Sequence, residues 1–195
     1  MKKGLLSIVI CVGFISSFAQ TPHFGLKGGL NAANLSREGS GTSDFKIGFH
    51  LGGLAHIHMT NHFAIQPEIV YSQQGGKNTF GNVENKIKLN YVNIPVLAQY
   101  MFGKGFRLEG GPQLGLLASA KQKIGSAESD VAGSFKSTDI SFVAGFGLLG
   151  PAKLGVDFRW TFGLNNINKV PNGVSTRNNV AQLGLFYQFD HKGKR

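Results

Sequence analysis

Three histidines and seven charged residues are the side chains best suited to chemistry in this chain. His50, His56 and His58 share even numbering, so in an extended strand they point to one face. A His-x-His pair on a strand can share a metal ion. No acidic or cysteine ligand lies near them in sequence, so hydrogen-bonded interior histidines are expected, with no metal site. Acyl transfer would need a base beside a nucleophile, and spacing supplies no partner for His50. No catalytic residue and no cofactor are expected. Gly28-Gly29 is no phosphate cradle, because no helix follows it. Lys27, Lys46, Glu68, Arg107, Glu109, Asp157 and Arg159 form the more informative set. Three acids against four bases suit a structural network of paired charges, with Arg107 expected to hold a carboxylate through both nitrogens.

Those assignments depend on the elements that carry the residues. In Lys153–Phe162, the residues Leu154, Val156, Phe158, Trp160 and Phe162 alternate with Lys153, Gly155, Asp157, Arg159 and Thr161. Strict alternation argues a β-strand with two unlike faces. The apolar face ends in Trp160 and Phe162, as a lipid-facing strand does at the membrane interface. The pattern recurs. Strands are expected over His23 to Asn34, Phe45 to Met59, Phe63 to Tyr71, Ile87 to Tyr100, Phe106 to Leu116, Ile140 to Leu148 and Val180 to Phe189. Pro67 is expected as a local irregularity. A bulge near Tyr91 or Pro95 would reconcile the mixed phase of the fourth strand.

That makes eight strands, each of a length that crosses a bilayer when tilted. The expected lipid face includes Phe49, Phe142, Phe146, Phe158, Trp160, Phe162, Leu185 and Tyr187. The seven charges, the histidines and most glycines fall on the other face, toward a lumen. Connections alternate between long polar stretches (Ser36–Asp44, Gln73–Lys86, Ala118–Ser137 and Gly163–Arg177) and short turns at Thr60-Asn61, Phe102–Gly105 and Gly150-Pro151. In a membrane barrel the long loops face outward and the short turns face the periplasm. The fold expected is all-β, an eight-stranded antiparallel up-and-down transmembrane barrel.

Composition agrees. Only 15% of the residues are charged, against about 25% in a typical soluble domain. After the N-terminal segment no apolar run reaches the roughly 20 residues of a membrane helix. Met1 to Ala19 has Lys2 and Lys3, an apolar run from Leu5 to Ile15 and a Ser17-Phe18-Ala19 exit, so it is expected to be a cleaved signal peptide. Gln20 to Arg195 is then one barrel domain. Cys11, the single cysteine, leaves with the signal, which excludes disulfides and thiolate chemistry from the remainder. The formal charge of +10 falls when Lys2 and Lys3 leave. Its basic residues are scattered singly, which argues against nucleic acid. Arg37, Lys77, Lys86, Lys88, Lys121, Lys123, Lys136, Lys169 and Arg177 fall on or near the expected outer loops. They are candidates for holding the phosphates of lipopolysaccharide by salt-screened attraction.

Three segments carry a resemblance to a family: Phe24-Gly25-Leu26-Lys27-Gly28-Gly29-Leu30-Asn31, Tyr91-Val92-Asn93-Ile94-Pro95-Val96 and Gly184-Leu185-Phe186-Tyr187-Gln188-Phe189. With them the chain resembles the small Gram-negative outer-membrane β-barrels described as porin-like or PorT-like. The resemblance implies export, insertion by the outer-membrane assembly machinery and contact with outer-membrane lipids. It implies either a structural, adhesion or surface-interaction role or, as the alternative, an accessory place in a protein secretion machine. A lipid-modifying barrel enzyme and a soluble lipocalin-like binder are weaker alternatives. The exposed Trp, Phe and Leu faces argue against the soluble binder.

Overall fold

A computed structural model describes residues 22–189 except Ser40, Asn82, Lys104 and Asn172. The expected signal peptide, Met1 to Ala19, lies outside the described residues. Eight long strands form the wall: β1 (His23–Arg37), β3 (Lys46–His58), β4 (Phe63–Phe80), β5 (Val83–Phe102), β6 (Phe106–Ile124), β8 (Thr138–Leu149), β9 (Leu154–Gly163) and β10 (Thr176–Gln188). Two short strands, β2 (Gly41–Thr42) and β7 (Ala127–Asp130), extend the outer hairpins. Each long strand pairs antiparallel with the next long strand in the chain, and β10 pairs with β1 from Gly25↔Gln188 to Arg37↔Thr176. The sheet therefore closes on itself, which removes its open edges.

The burial pattern is inverted relative to a soluble protein. Ile47, on the outside, is 68% exposed, while Glu68, on the inside, is 2% exposed. Phe49, Phe142, Phe146, Phe158, Phe162, Leu185 and Tyr187 all lie exposed on the outer face. Trp160 is half-buried. It stands opposite the small Ala181, which pairs in turn with Ala32, and its ring meets Phe45 edge-on at 6.5 Å. Aromatics gather at both ends of the wall: Phe45, Trp160 and Phe162 on the outer side, and Phe63, Tyr100, Phe102 and Phe106 on the periplasmic side. Such girdles mark the two membrane interfaces.

Strong curvature crowds the inner face, so some positions there exclude a side chain. A Cβ on inward Gly52 would collide with the backbone carbonyl of Ile69. One on outward Gly53 would meet nothing closer than 3.7 Å. The prolines interrupt the ladder without shifting it. Pairing skips from Pro67↔Val96 to Val70↔Asn93 in the same register. The bulge expected near Tyr91 or Pro95 in the fourth strand lies instead on its neighbour: the register of β5 against β6 shifts between Asn90 and Tyr91. Because Asn90 pairs with Ser119 and Tyr91 with Leu117, the extra residue is Ala118. β5 keeps one phase, with Leu89 and Tyr91 inward.

Two expected loops are corrected. Gln73–Lys86 is not a loop but the upper part of a continuous hairpin, paired from Gln73↔Asn90 to Phe80↔Val83. Ala118–Ser137 is largely structured as well, because β6 runs on to Ile124 and pairs with β7. Above the membrane both faces of a strand meet water or protein, so the alternation that marks a strand disappears while the backbone ladder continues.

Candidate functional site: a charged lumen beneath an apolar cap

The centre of the lumen is built by side chains from β1, β4, β6 and β9. Arg159 on β9 donates from Nη1 and Nη2 to the two carboxylate oxygens of Glu68 on β4, at 2.8 and 2.9 Å. Its Nε donates to Glu109 on β6 at 2.5 Å, and Nη2 reaches the other Glu109 oxygen at 3.2 Å. Lys27 on β1 donates to Asp157 at 3.0 Å and lies 3.6 Å from Glu68. Gln66 and Gln99 each donate to the neighbouring carboxylate, Glu68 and Glu109, at 2.7 Å. Every one of these groups is buried. Removing ions from water costs several kcal/mol each, and these shared partners offset that cost.

Two members of the expected set behave differently. Arg107 does not make the bidentate contact expected of it, which belongs to Arg159. Arg107 is buried and lies over the ring of Phe186, 4.9 Å from its centroid, one layer nearer the periplasm than Glu109. Glu109 is already taken by Arg159 and Gln99, and the aromatic face supplies the remaining attraction. Lys46 is outside the network altogether. It is half-buried at the outer end of β3 and lines a recess there, together with Lys86 and Lys88. Parity alone misplaces it, because β3 begins at Lys46 and the wall ends there. The network thus holds three cations and three carboxylates.

His50 stands apart from His56 and His58. His50 Nδ1 pairs with Asn31 Oδ1 at 2.8 Å. His56 Nδ1 pairs with Gln66 Oε1 at 3.3 Å. The rings of His56 and His58 meet edge-on at 4.5 Å near the periplasmic mouth. Among the described residues no three His, Cys, Asp or Glu side chains converge as a ligand set, and no nucleophile stands beside a base.

Above the charged layer lies a polar layer that reading by charge overlooks. Asn31 donates to Ser72 at 2.9 Å, Gln182 donates to Asn31 at 3.1 Å, and Asn178 donates to Gln74 and to Asp139. The same inward parity that marks Lys27 marks these residues, so the signal was present in the alternation. Higher still, Leu35, Leu89, Tyr91, Ala120 and Ile167 form an apolar cluster, with Val131, Ala132 and Phe135 packed on it. These last residues come from segments expected to be polar loops. They are held over the mouth by backbone bonds such as Lys136 N–H to the Ile167 carbonyl, 2.8 Å. No periodic pattern announces such a cap, because its contacts join loops far apart in the chain.

The outer basic residues separate into groups. Lys77, Lys86, Lys88 and Lys121 join Lys46 around a recess of about 510 Å³, bounded by Phe45 and Ile47. Lys88 and Lys121 both donate to Glu128, at 2.6 and 3.1 Å, and these bonds hold its carboxyl below the usual range. A hydrogen bond from Lys86 does the same to Glu84. Lys123 shares the strand face of this group, since it pairs with Lys86. Arg37 and Arg177 stand instead where β1 meets β10, and Lys136 and Lys169 lie exposed on the cap segments.

A closed antiparallel ring, apolar without and polar within, defines a transmembrane β-barrel. The chain belongs to the outer membrane protein beta-barrel domain family, whose sequence pattern matches residues 18–169, and the family places it in the bacterial outer membrane. Solved structures of small outer-membrane barrels share the fold. Neisserial surface protein A superposes with a TM-score of 0.60 at 14% identity, over 87% of this chain and 100% of that one. Ail, the attachment invasion locus protein of Yersinia pestis, gives 0.54 at 13% identity with the same coverage. No curated protein matches the chain in sequence.

Proposed function

We propose that the protein is a non-conducting, non-enzymatic surface barrel of the outer membrane, with a structural, adhesive or surface-interaction role carried by its outer hairpins. The observation that carries this reading is Arg159, which ties β9 to β4 and β6 across the middle of the lumen. Eight strands enclose an interior that side chains can fill, and here charged, amide and apolar layers succeed one another along it. A barrel spent on its own packing offers function mainly at its rim. The Yersinia protein is named for attachment and invasion and the Neisserial one as a surface protein, and those names support the same class of role.

The test is conductance of the purified protein in a planar bilayer. Silence or rare flicker is expected, and steady conductance of porin size would overturn the reading. An accessory role in secretion, implied by the PorT-like resemblance, predicts lost secretion on gene deletion. A surface role predicts intact secretion with altered attachment.

A further inference from the structure

The lysines of the outer recess violate the pairing rule of sheets. Lys77 on β4 stands directly opposite Lys86 on β5, and Lys86 stands directly opposite Lys123 on β6. One step lower on the same face, Lys88 faces Lys121. Like charges directly opposite are destabilising, and local rules broken without structural gain mark functional sites. Glu84 and Glu128 compensate only in part. Lys46 and Lys77 make no ion pair among the described residues. Asp44 and Asp130 also stand opposite Lys77 and Lys121 in the ladder, yet the six lysines Lys46, Lys77, Lys86, Lys88, Lys121 and Lys123 outnumber the four carboxylates.

The recess also has an apolar side. Phe45 and Ile47 line it. They are exposed members of the lipid-facing belt, and Phe45 contacts Trp160 in the outer girdle. An occupant must therefore carry negative charge just above the interface and hydrocarbon just below it. We propose that this recess binds the phosphate groups of an outer-leaflet glycolipid, whose acyl chains run down the wall over Phe45 and Ile47. Ammonium groups from β3, β4, β5 and β6 converge on the phosphates, and the ligand supplies the charge that the facing lysines lack. A wholly soluble anion would leave the apolar side unused. The inference rests on the outer-membrane placement of the chain and is independent of whether the lumen conducts.

The test uses the full chain refolded in detergent micelles, with Lys77→Gln/Lys86→Gln compared against Lys136→Gln/Lys169→Gln. Heat-modifiable gel migration verifies that each is folded. The probes are bis-phosphorylated lipid A, the same lipid after phosphatase treatment, inorganic phosphate and heparin. Each lysine near an anionic lipid surface contributes roughly fivefold in affinity. The recess variant should thus bind the phosphorylated lipid about 25-fold more weakly, with the cap variant unchanged. Dephosphorylation should weaken wild-type binding and leave the recess variant little affected. In lipid-free detergent the recess variant should unfold at the same or a higher urea concentration, since facing charges have been removed.

Equal binding by wild type and recess variant would overturn the proposal, as would equal binding of the two lipids. A lowered urea midpoint would show that the lysines serve the fold. Inorganic phosphate competing as strongly as the lipid would overturn the glycolipid assignment. Loss of heparin binding alone, with lipid binding intact, would assign the recess to a sulfated polysaccharide instead.

Discussion

Replacing Glu68 with glutamine is the sharpest perturbation of the lumen. The wild-type carboxylate accepts two bonds from Arg159 at 2.8 and 2.9 Å and one from Gln66 at 2.7 Å, with Lys27 at 3.6 Å. Glutamine keeps the shape but removes the charge, leaving three buried cations against two carboxylates. Its amide also turns donors toward donors. Breaking a buried pair by removing one partner costs about 3–5 kcal/mol, because the remaining charge stays desolvated. Urea unfolding of the refolded barrel can be followed by the fluorescence of Trp160, the chain's single tryptophan, which leaves the lipid face on unfolding. Glu68→Gln should lower the midpoint strongly. Glu128→Gln, which breaks only exposed pairs, should lower it slightly. Adding Arg159→Met to Glu68→Gln should recover part of the loss, since the charges then balance. A Glu68→Gln midpoint no lower than that of Glu128→Gln would refute the reasoning.

Other outcomes follow from the wall and the rim. Gly52→Ala should destabilise the barrel by about 1–3 kcal/mol through overpacking, whereas Gly53→Ala should leave the urea midpoint nearly unchanged. Phe158→Arg should cost roughly 2–4 kcal/mol if it sits near the midplane; Phe158→Leu should fold normally, and equal refolding yields for the two would contradict the assigned faces. Glu128 has a depressed folded pKa through the bonds from Lys88 and Lys121. Its contribution is therefore present above its unfolded value of about 4.3 and is lost as pH falls through the folded value. Hydrogen exchange in Ala127–Asp130 should differ between wild type and Glu128→Gln near neutral pH and converge only once the pH has fallen below the depressed folded pKa of Glu128.

Much of the architecture was determined by the sequence alone, because a closed membrane barrel imposes one rule on every strand. Residues with period two meet lipid and their neighbours meet the lumen, so Phe158 and Asp157 declare their faces without any knowledge of partners. Strand number, turn positions and the inward set of Lys27, Glu68, Glu109, Asp157 and Arg159 were legible on that basis. Parity assigns a face but neither a height along the barrel nor a partner across it. Only the closed ring decides that Arg159, and not Arg107, lies level with Glu68, 91 residues away in the chain, and that Arg107 is left with Phe186. The same limit applies where the membrane ends. There Gln73–Phe80 no longer alternates, Ile87, Leu89 and Tyr91 turn the apolar side of β5 inward beneath the cap, and ladder bonds between distant residues continue the hairpins and set Lys77 against Lys86. Those contacts depend on register and strand tilt, which are properties of the assembled sheet and not of any single segment.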